Sequence, residues 1–123
     1  MRTVAIALTA LALAGCQSSK TATAPVGNDA ILANAALSET IRTCWFSGDP
    51  AFAEYNYAPE VNLAAPRILI VAKNDPQGLP ALVIEPKGGG VVDVYGPLLQ
   101  SPHGARISAD MARWRTGSEG CVA

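Results

Sequence analysis

Three short strand-like runs, separated by turns of a few residues, constrain this chain more than any other feature. The β-branched run Arg67–Lys73 is followed by the turn Asn74–Gly78 and by a second run, Ala81–Glu85. The glycine-rich turn Pro86–Gly90 then leads into a third run, Val91–Tyr95. Parallel pairing requires a crossover of a dozen or more residues, so these connections predict an antiparallel β-meander.

The alternation of side chains along these runs predicts two different faces. Successive residues of a strand point to opposite sides of a sheet, and a half-buried sheet is apolar on one side only. The apolar face receives Leu82, Ile84, Val92 and Val94, and the wetter face receives Glu85, Asp93 and Tyr95. A further short strand is predicted over Phe52–Tyr57, with Tyr55 and Tyr57 on the same side.

A helix is predicted before these strands. Asn28 or Asp29 can cap it, and it runs from Ala30 to about Cys44. The segment Ser47–Pro50 ends it, because glycine and proline together break a helix. The apolar stripe predicted for this helix consists of Ile31, Leu32, Ala35, Ile41 and Trp45.

A second helix is predicted over Arg106–Arg115, because Ile107, Met111 and Trp114 recur at helical spacing. A short strand at Ala105–Ser108 followed by a shorter helix is the alternative. The order of elements predicts a single α+β domain over residues 29–123. Its two layers are an antiparallel β-meander of three to four strands and the N-terminal and C-terminal helices packed on it.

The first sixteen residues indicate export. The apolar run that ends at Leu13 is ten residues long, whereas a membrane-spanning helix needs about 20. The segment resembles the signal peptides of bacterial lipoproteins, whose lipobox is matched by Leu13-Ala14-Gly15-Cys16. The resemblance implies removal of residues 1–15 and acylation of Cys16 by chains such as palmitate. An ordinary secretory signal with an incidental Cys16 is the alternative.

The same resemblance implies a location in the cell envelope. In many such lipoproteins an Asp after the acylated cysteine favours the inner membrane, and here that position is Gln17. An outer-membrane anchor facing the periplasm is therefore expected. Residues 16–28 are small and polar, which predicts a flexible tether of about 12 residues that spans at most about 40 Å. The expected partners are the membrane and either an envelope protein or the cell wall.

The other two cysteines, Cys44 and Cys121, favour a disulfide in an exported chain, and two free thiols are the alternative. No metal or cofactor is expected, because His103 is the only histidine available to complete a zinc site. Nine Lys and Arg against ten Asp and Glu give no basic footprint, so no nucleic-acid partner is expected.

The sequence carries no assembled catalytic motif. His103 has candidate partners in Ser101, Ser108 and Asp110, which makes a small envelope hydrolase one alternative function. Gly88–Gly90 is expected to be a hairpin turn rather than a phosphate cradle. The facing carboxylates of Glu85 and Asp93, and the aromatic side chains of Trp45 and Trp114, are expected to be structural. A non-enzymatic binding or structural module is therefore predicted, and a soluble-ligand binding module is a further alternative.

Overall fold

The four strands pair in chain order as one antiparallel sheet, β1-β2-β3-β4, in the computed structural model. The structure describes residues 28–61 and 64–122, so the predicted signal peptide, the lipobox and residues 16–27 of the tether lie outside the described residues. The elements are α1 (Asn28–Trp45), β1 (Tyr55–Glu60), β2 (Arg67–Ala72), β3 (Leu82–Gly88), β4 (Val91–Tyr95) and α2 (Gly104–Trp114). Short 3-10 helices occupy Pro50–Phe52 and Pro97–Gln100. The predicted α+β class and the antiparallel meander are confirmed.

The register of the strands gives the sheet its two predicted faces. Ile70 pairs with Leu82, Ile68 pairs with Ile84, and Ile84 pairs with Val94. These residues alternate with Glu85, which pairs with Asp93 on the other face. Residues from both helices form one buried cluster with a single face of the sheet: Leu37, Ile41, Cys44, Trp45, Phe52, Ile68, Ile70, Leu82, Ile84, Val92, Leu98, Ile107, Met111 and Trp114.

The predicted first strand is displaced along the chain. Pro50–Phe52 is a 3-10 helix capped by Asp49, whose side chain accepts a hydrogen bond from the N–H of Ala51. Strand β1 therefore begins at Tyr55 and continues through Pro59. A proline is compatible with this position because β1 lies at the edge of the sheet.

Strand β3 extends past the predicted turn at Pro86. A turn was predicted from Pro86 because proline has no N–H to donate to a sheet ladder and therefore normally lies at a strand end. That prediction was wrong for Pro86, which lies within β3. The pairing between β2 and β3 ends at Ile84. No residue of β2 therefore lies opposite Pro86 to require the N–H that proline lacks. The register shifts between Pro86 and Gly88, and the turn itself is Gly89-Gly90, with φ of +63° and +77°. Glycine suits both positive angles, as expected for a tight hairpin.

The packing face of α1 differs from the predicted stripe. The buried residues are Ala30, Asn34, Leu37, Ile41, Cys44 and Trp45. Leu32 is 66% exposed and Ala35 is exposed, so their assignment to the core was wrong. In an alanine-rich helix small side chains on every side make the apolar period ambiguous, and the buried Asn34 interrupts the true stripe with a polar residue.

Helix α2 is confirmed over most of its predicted length, and the alternative strand at 105–108 is wrong. Its buried side chains include Ile107, Met111 and Trp114, the three residues that predicted it. Gly117, at φ +91°, donates its N–H to the carbonyl of Trp114 at 3.0 Å and ends the helix.

A disulfide joins Cys44, near the end of α1, to Cys121, as the two remaining cysteines predicted. The two Cα atoms are 5.2 Å apart, and the residues are separated by 77 positions in the chain. The bond ties the C-terminal segment to the helix that begins the domain. Within the described part of the chain no helix is both long enough and apolar enough to span a bilayer.

Replacing both Cys44 and Cys121 by alanine is expected to lower the free energy of unfolding by up to about 4 kcal/mol, because the long loop is no longer closed in the unfolded chain. Urea unfolding of the variant and of the oxidised wild-type chain measures the difference. The reduced wild-type chain is the matched control and should resemble the variant. Equal stability of all three would contradict a stabilising role for the bond.

Candidate functional site

A buried carboxylate on α2 is the centre of the polar contacts in this domain. Asp110 is 3% exposed, and its Oδ2 accepts a hydrogen bond of 2.8 Å from Nε1 of Trp45 on α1. Its Oδ1 accepts a hydrogen bond from Nη2 of Arg113, and Nε of Arg106 lies 3.6 Å from Oδ2. A buried charge needs such partners, since desolvation without them is costly. We call Trp45, Asp110, Arg106 and Arg113 the Asp110 cluster.

Arg106 connects the Asp110 cluster to the loop after α1. Its Nη1 forms an ion pair with Oδ2 of Asp49, and its guanidinium lies 5.5 Å from the centre of the Phe52 ring. The backbone N–H of Ala51 donates to Oδ1 of Asp49 at 2.9 Å. This hydrogen bond, with a further contribution from Arg106, holds the pKa of Asp49 below its usual range.

The aromatic residues beside the cluster belong to the core, as expected for both tryptophans. Trp45 stacks on Phe52 with ring centroids 4.6 Å apart, and its ring lies 5.2 Å from that of Trp114. The carbonyl of Gly120 accepts hydrogen bonds from Nε1 of Trp114 at 3.1 Å and from Nη1 of Arg113 at 2.8 Å. These contacts hold the C-terminal segment next to its disulfide.

Ser101 and Asp110, which a Ser-His-Asp relay would need, are hydrogen-bonded to other partners in the described residues. His103 precedes α2 and is half-buried, with its ring centroid 6.2 Å from that of Phe52. The hydroxyl of Ser101 donates to the carbonyl of Leu98 and accepts from the backbone N–H of His103. Among the hydrogen bonds of residues 28–61 and 64–122, none connects the His103 ring to Ser101, Ser108 or Asp110.

Glu85 and Asp93 face each other across β3 and β4, as predicted. Nζ of Lys87 lies between them, 2.7 Å from Glu85 Oε2 and 3.8 Å from Asp93 Oδ2. The hydroxyl of Tyr95 also donates to Glu85 at 2.7 Å. The hydrogen bond from Lys87, together with that from Tyr95, lowers the pKa of Glu85. A general acid requires the opposite shift, so this pair fits a cross-strand ion cluster on an exposed face.

The predicted hairpin at Gly88–Gly90 lies between the two helices. A side chain at Gly88 would be 3.6 Å from Cβ of Asp29, and one at Gly90 would be 3.7 Å from the carbonyl oxygen of Arg115. An apolar cleft of about 170 Å³ lies beside the turn, bounded by α1 and by the segment after α2. Its volume is below that of typical small-molecule sites, which begin at about 300 Å³.

A groove between β4 and α2 has no counterpart in the sequence analysis. It has a volume of about 290 Å³ and is lined by Val92, Asp93, Val94, Leu99, Ser108, Met111 and Arg115. We call this the β4–α2 groove. Ser108 and Arg115 are seven residues apart and therefore lie on one face of α2 beside Met111, but this spacing indicates a groove only once β4 is known to be an edge strand.

No metal centre is formed by the described residues, in which no three His, Cys, Asp or Glu side chains are grouped to hold an ion. Cys16, the predicted lipidation site, lies outside them. No protein-family model matches the chain, and comparison with curated proteins and with solved structures gives no match either.

Replacing Asp110 by alanine is expected to lower the free energy of unfolding by about 3 kcal/mol, because Trp45 Nε1 loses its buried acceptor and two arginines lose their counter-ion. Urea unfolding measures the change. Asp93→Ala is the matched control, since its carboxylate is 57% exposed and an exposed ion pair contributes at most about 1 kcal/mol. A cost for Asp110→Ala as small as that of the control would contradict the structural role of the cluster.

Asp49 is expected to make the domain sensitive to acid. Because its pKa is lowered in the folded chain, its charge stabilises the fold above the ordinary value of about 3.9, and that contribution disappears as the pH falls further. Asp49→Asn should therefore lose less stability than the wild-type chain between pH 6 and acidic pH. Urea unfolding across this range tests the expectation, and parallel profiles for the two chains would refute it.

Proposed function

We propose that this chain is a lipid-anchored protein of the bacterial cell envelope, whose α+β domain acts as a binding or interaction module at the periplasmic surface of a membrane. The lipobox resemblance of Leu13-Ala14-Gly15-Cys16 supports acylation of Cys16. Because Gln17 follows that cysteine, the outer membrane is the proposed site of the anchor. One acyl chain binds a bilayer only marginally, so stable attachment relies on several.

The disulfide is the single structural observation that best supports export. The bond between Cys44 and Cys121 joins two distant parts of the chain. Disulfides persist in oxidising compartments such as the bacterial periplasm and are rare in the cytosol. The bond also leaves Cys16 as the cysteine free for another use, because the chain contains three in all. In this proposal one cysteine carries the lipid anchor and the other two form the disulfide.

An interaction role is favoured over hydrolysis by what the polar groups of the described domain contact. Asp110 is held by Trp45 and two arginines, and Ser101 is held by backbone groups. A tether of about 12 residues keeps the domain within about 40 Å of its membrane. We propose that the domain meets an envelope protein or the cell wall within that distance.

Replacing Cys16 by serine is expected to release the chain from the membrane fraction and to abolish incorporation of a clickable palmitate analogue, because serine supplies no thiol for thioether formation. Cell fractionation and in-gel fluorescence measure the two effects. Cys121→Ser is the matched control, since it removes a cysteine from the domain and should retain the lipid label. Membrane attachment and labelling of the Cys16→Ser chain at wild-type levels would overturn the proposal.

Separation of the inner and outer membranes by density tests the proposed location. The wild-type chain is expected in the outer-membrane fraction, and recovery with the inner membrane would contradict the role assigned to Gln17.

A further inference from the structure

We infer that the β4–α2 groove binds an extended peptide of another envelope protein, which adds to β4 as a fifth strand and places a carboxylate beside Arg115. This inference rests on the proposed interaction role of the domain and identifies the surface that would perform it. Four observations on the described residues carry it: a free strand edge, a partly apolar floor, an unpaired cation and the close approach of the end of α2 to the start of β4.

The first observation is the unpaired edge of β4. Its only strand partner is β3, and outside the sheet ladder no backbone hydrogen bond of the described residues involves Val91–Tyr95. A strand edge of this kind offers N–H and C=O groups that an extended chain can satisfy. The other edge strand, β1, contains Pro59, which cannot donate to a ladder. Strand β4 contains no proline and is therefore the better receptor.

The second observation is the partly apolar floor of the groove. Val94 and Leu99 line the groove and are half-buried, so they present apolar surface there, whereas Met111 and Val92 are buried. Alternate side chains of an added strand point to the same face of the sheet, so every second residue of the peptide would face this floor. An apolar side chain at one of those positions would lie next to Val94 and Leu99.

The third observation is the charge at one end of the groove. Arg115 is exposed, and no carboxylate of the described residues lies within ion-pair distance of its guanidinium. The other three arginines near α2 and β2 are paired: Arg67 with Glu60, Arg106 with Asp49 and Arg113 with Asp110. An arginine next to a strand edge is suited to a carboxylate at the end of a docked peptide.

The fourth observation sets the direction of the peptide. A side chain at Gly90 would lie 3.7 Å from the carbonyl oxygen of Arg115, so the end of α2 lies beside the beginning of β4. All strand pairs of this sheet are antiparallel, and a peptide that continues this pattern on β4 reaches that position with its C-terminal end. The free carboxylate of a C-terminal segment, or an acidic side chain near it, would then meet Arg115.

Charge also favours a peptide of another protein over two other possible occupants of the groove, a second copy of this chain and its own residues 16–27. A second copy that paired through the centre of β4 would place two Asp93 carboxylates opposite each other, which is unfavourable. Residues 16–27 of this chain contain Lys20 and no acidic residue, so they offer no carboxylate to Arg115. A peptide from another protein that carries a carboxylate is the occupant that fits.

The test uses the full chain in detergent micelles and, as the probe, an array of random octapeptides with free carboxylates. Peptides selected by the wild-type chain are then measured by fluorescence anisotropy. Ser108→Trp should weaken binding by at least about tenfold, because the indole would occupy the space in the groove that the peptide needs. Ala109→Trp is the matched control, because Ala109 is exposed on the same helix but lines a different depression. It should remain within about twofold of the wild-type affinity.

The carboxylate is tested by a cycle of two changes. Amidation of the peptide and Arg115→Gln should each weaken binding by about tenfold, which corresponds to one charge-assisted contact. Combined, they should cost no more than either alone, because both remove the same ion pair. Arg42→Glu, on the exposed side of α1, is the charge control and should leave the affinity unchanged. Amide hydrogen exchange of Val91–Tyr95 should slow when the peptide binds.

Binding that is insensitive to Ser108→Trp, additive effects of amidation and Arg115→Gln, or unchanged exchange in β4 would each overturn the inference. So would a failure to select any peptide. Concentration-dependent dimerisation abolished by Ser108→Trp would identify a second copy as the occupant instead. Tighter peptide binding after deletion of residues 17–27 would identify the tether as the occupant of the groove in this chain and would also overturn the inference. If octapeptides bind the groove but Cys16 carries no lipid, the inference stands and the proposed anchoring fails.

Discussion

The hydrogen bond from Trp45 to Asp110 is the interaction on which the arrangement of this domain depends, because it joins the two helices through the core. Burial of a carboxylate is costly, and two arginines with one indole donor offset that cost. The residues around this hydrogen bond also contact three neighbouring segments. Arg106 forms an ion pair with Asp49, Arg113 donates a hydrogen bond to the carbonyl of Gly120, and Trp45 stacks on Phe52. The disulfide at Cys44, one residue from Trp45, adds a covalent bond to this group of contacts. We call the group the Trp45–Asp110 corner.

The position of α2 connects this corner to the proposed binding surface. Asp110 holds α2 against α1, and Met111, the next residue, lines the β4–α2 groove. A shift of α2 would therefore change the width of the groove as well as the packing of the core. The stability of the corner and the shape of the groove are linked through one helix. The position of β4 at the edge of the sheet supplies the other wall.

Much of the fold could be predicted from sequence, because short turns and the spacing of Ile107, Met111 and Trp114 are local signals. The packing face of α1 could not, since alanine on every side of the helix gives no clear period. Asp110 was considered only as a partner for His103, because an isolated aspartate does not reveal which distant indole it will meet. The β4–α2 groove was missed for a similar reason: it joins elements whose adjacency is set by tertiary packing.

A double-mutant cycle between Trp45→Phe and Asp110→Ala measures directly how much the hydrogen bond between these two side chains stabilises the domain. The free energy of unfolding is measured for the wild-type chain, both single variants and the double variant. Because Arg106 and Arg113 are present in all four chains, their effects cancel and the coupling reports the Trp45–Asp110 contact. We expect a coupling energy of about 1.5–3 kcal/mol, typical of a buried hydrogen bond to a charged group. Additive effects of the two substitutions would contradict it.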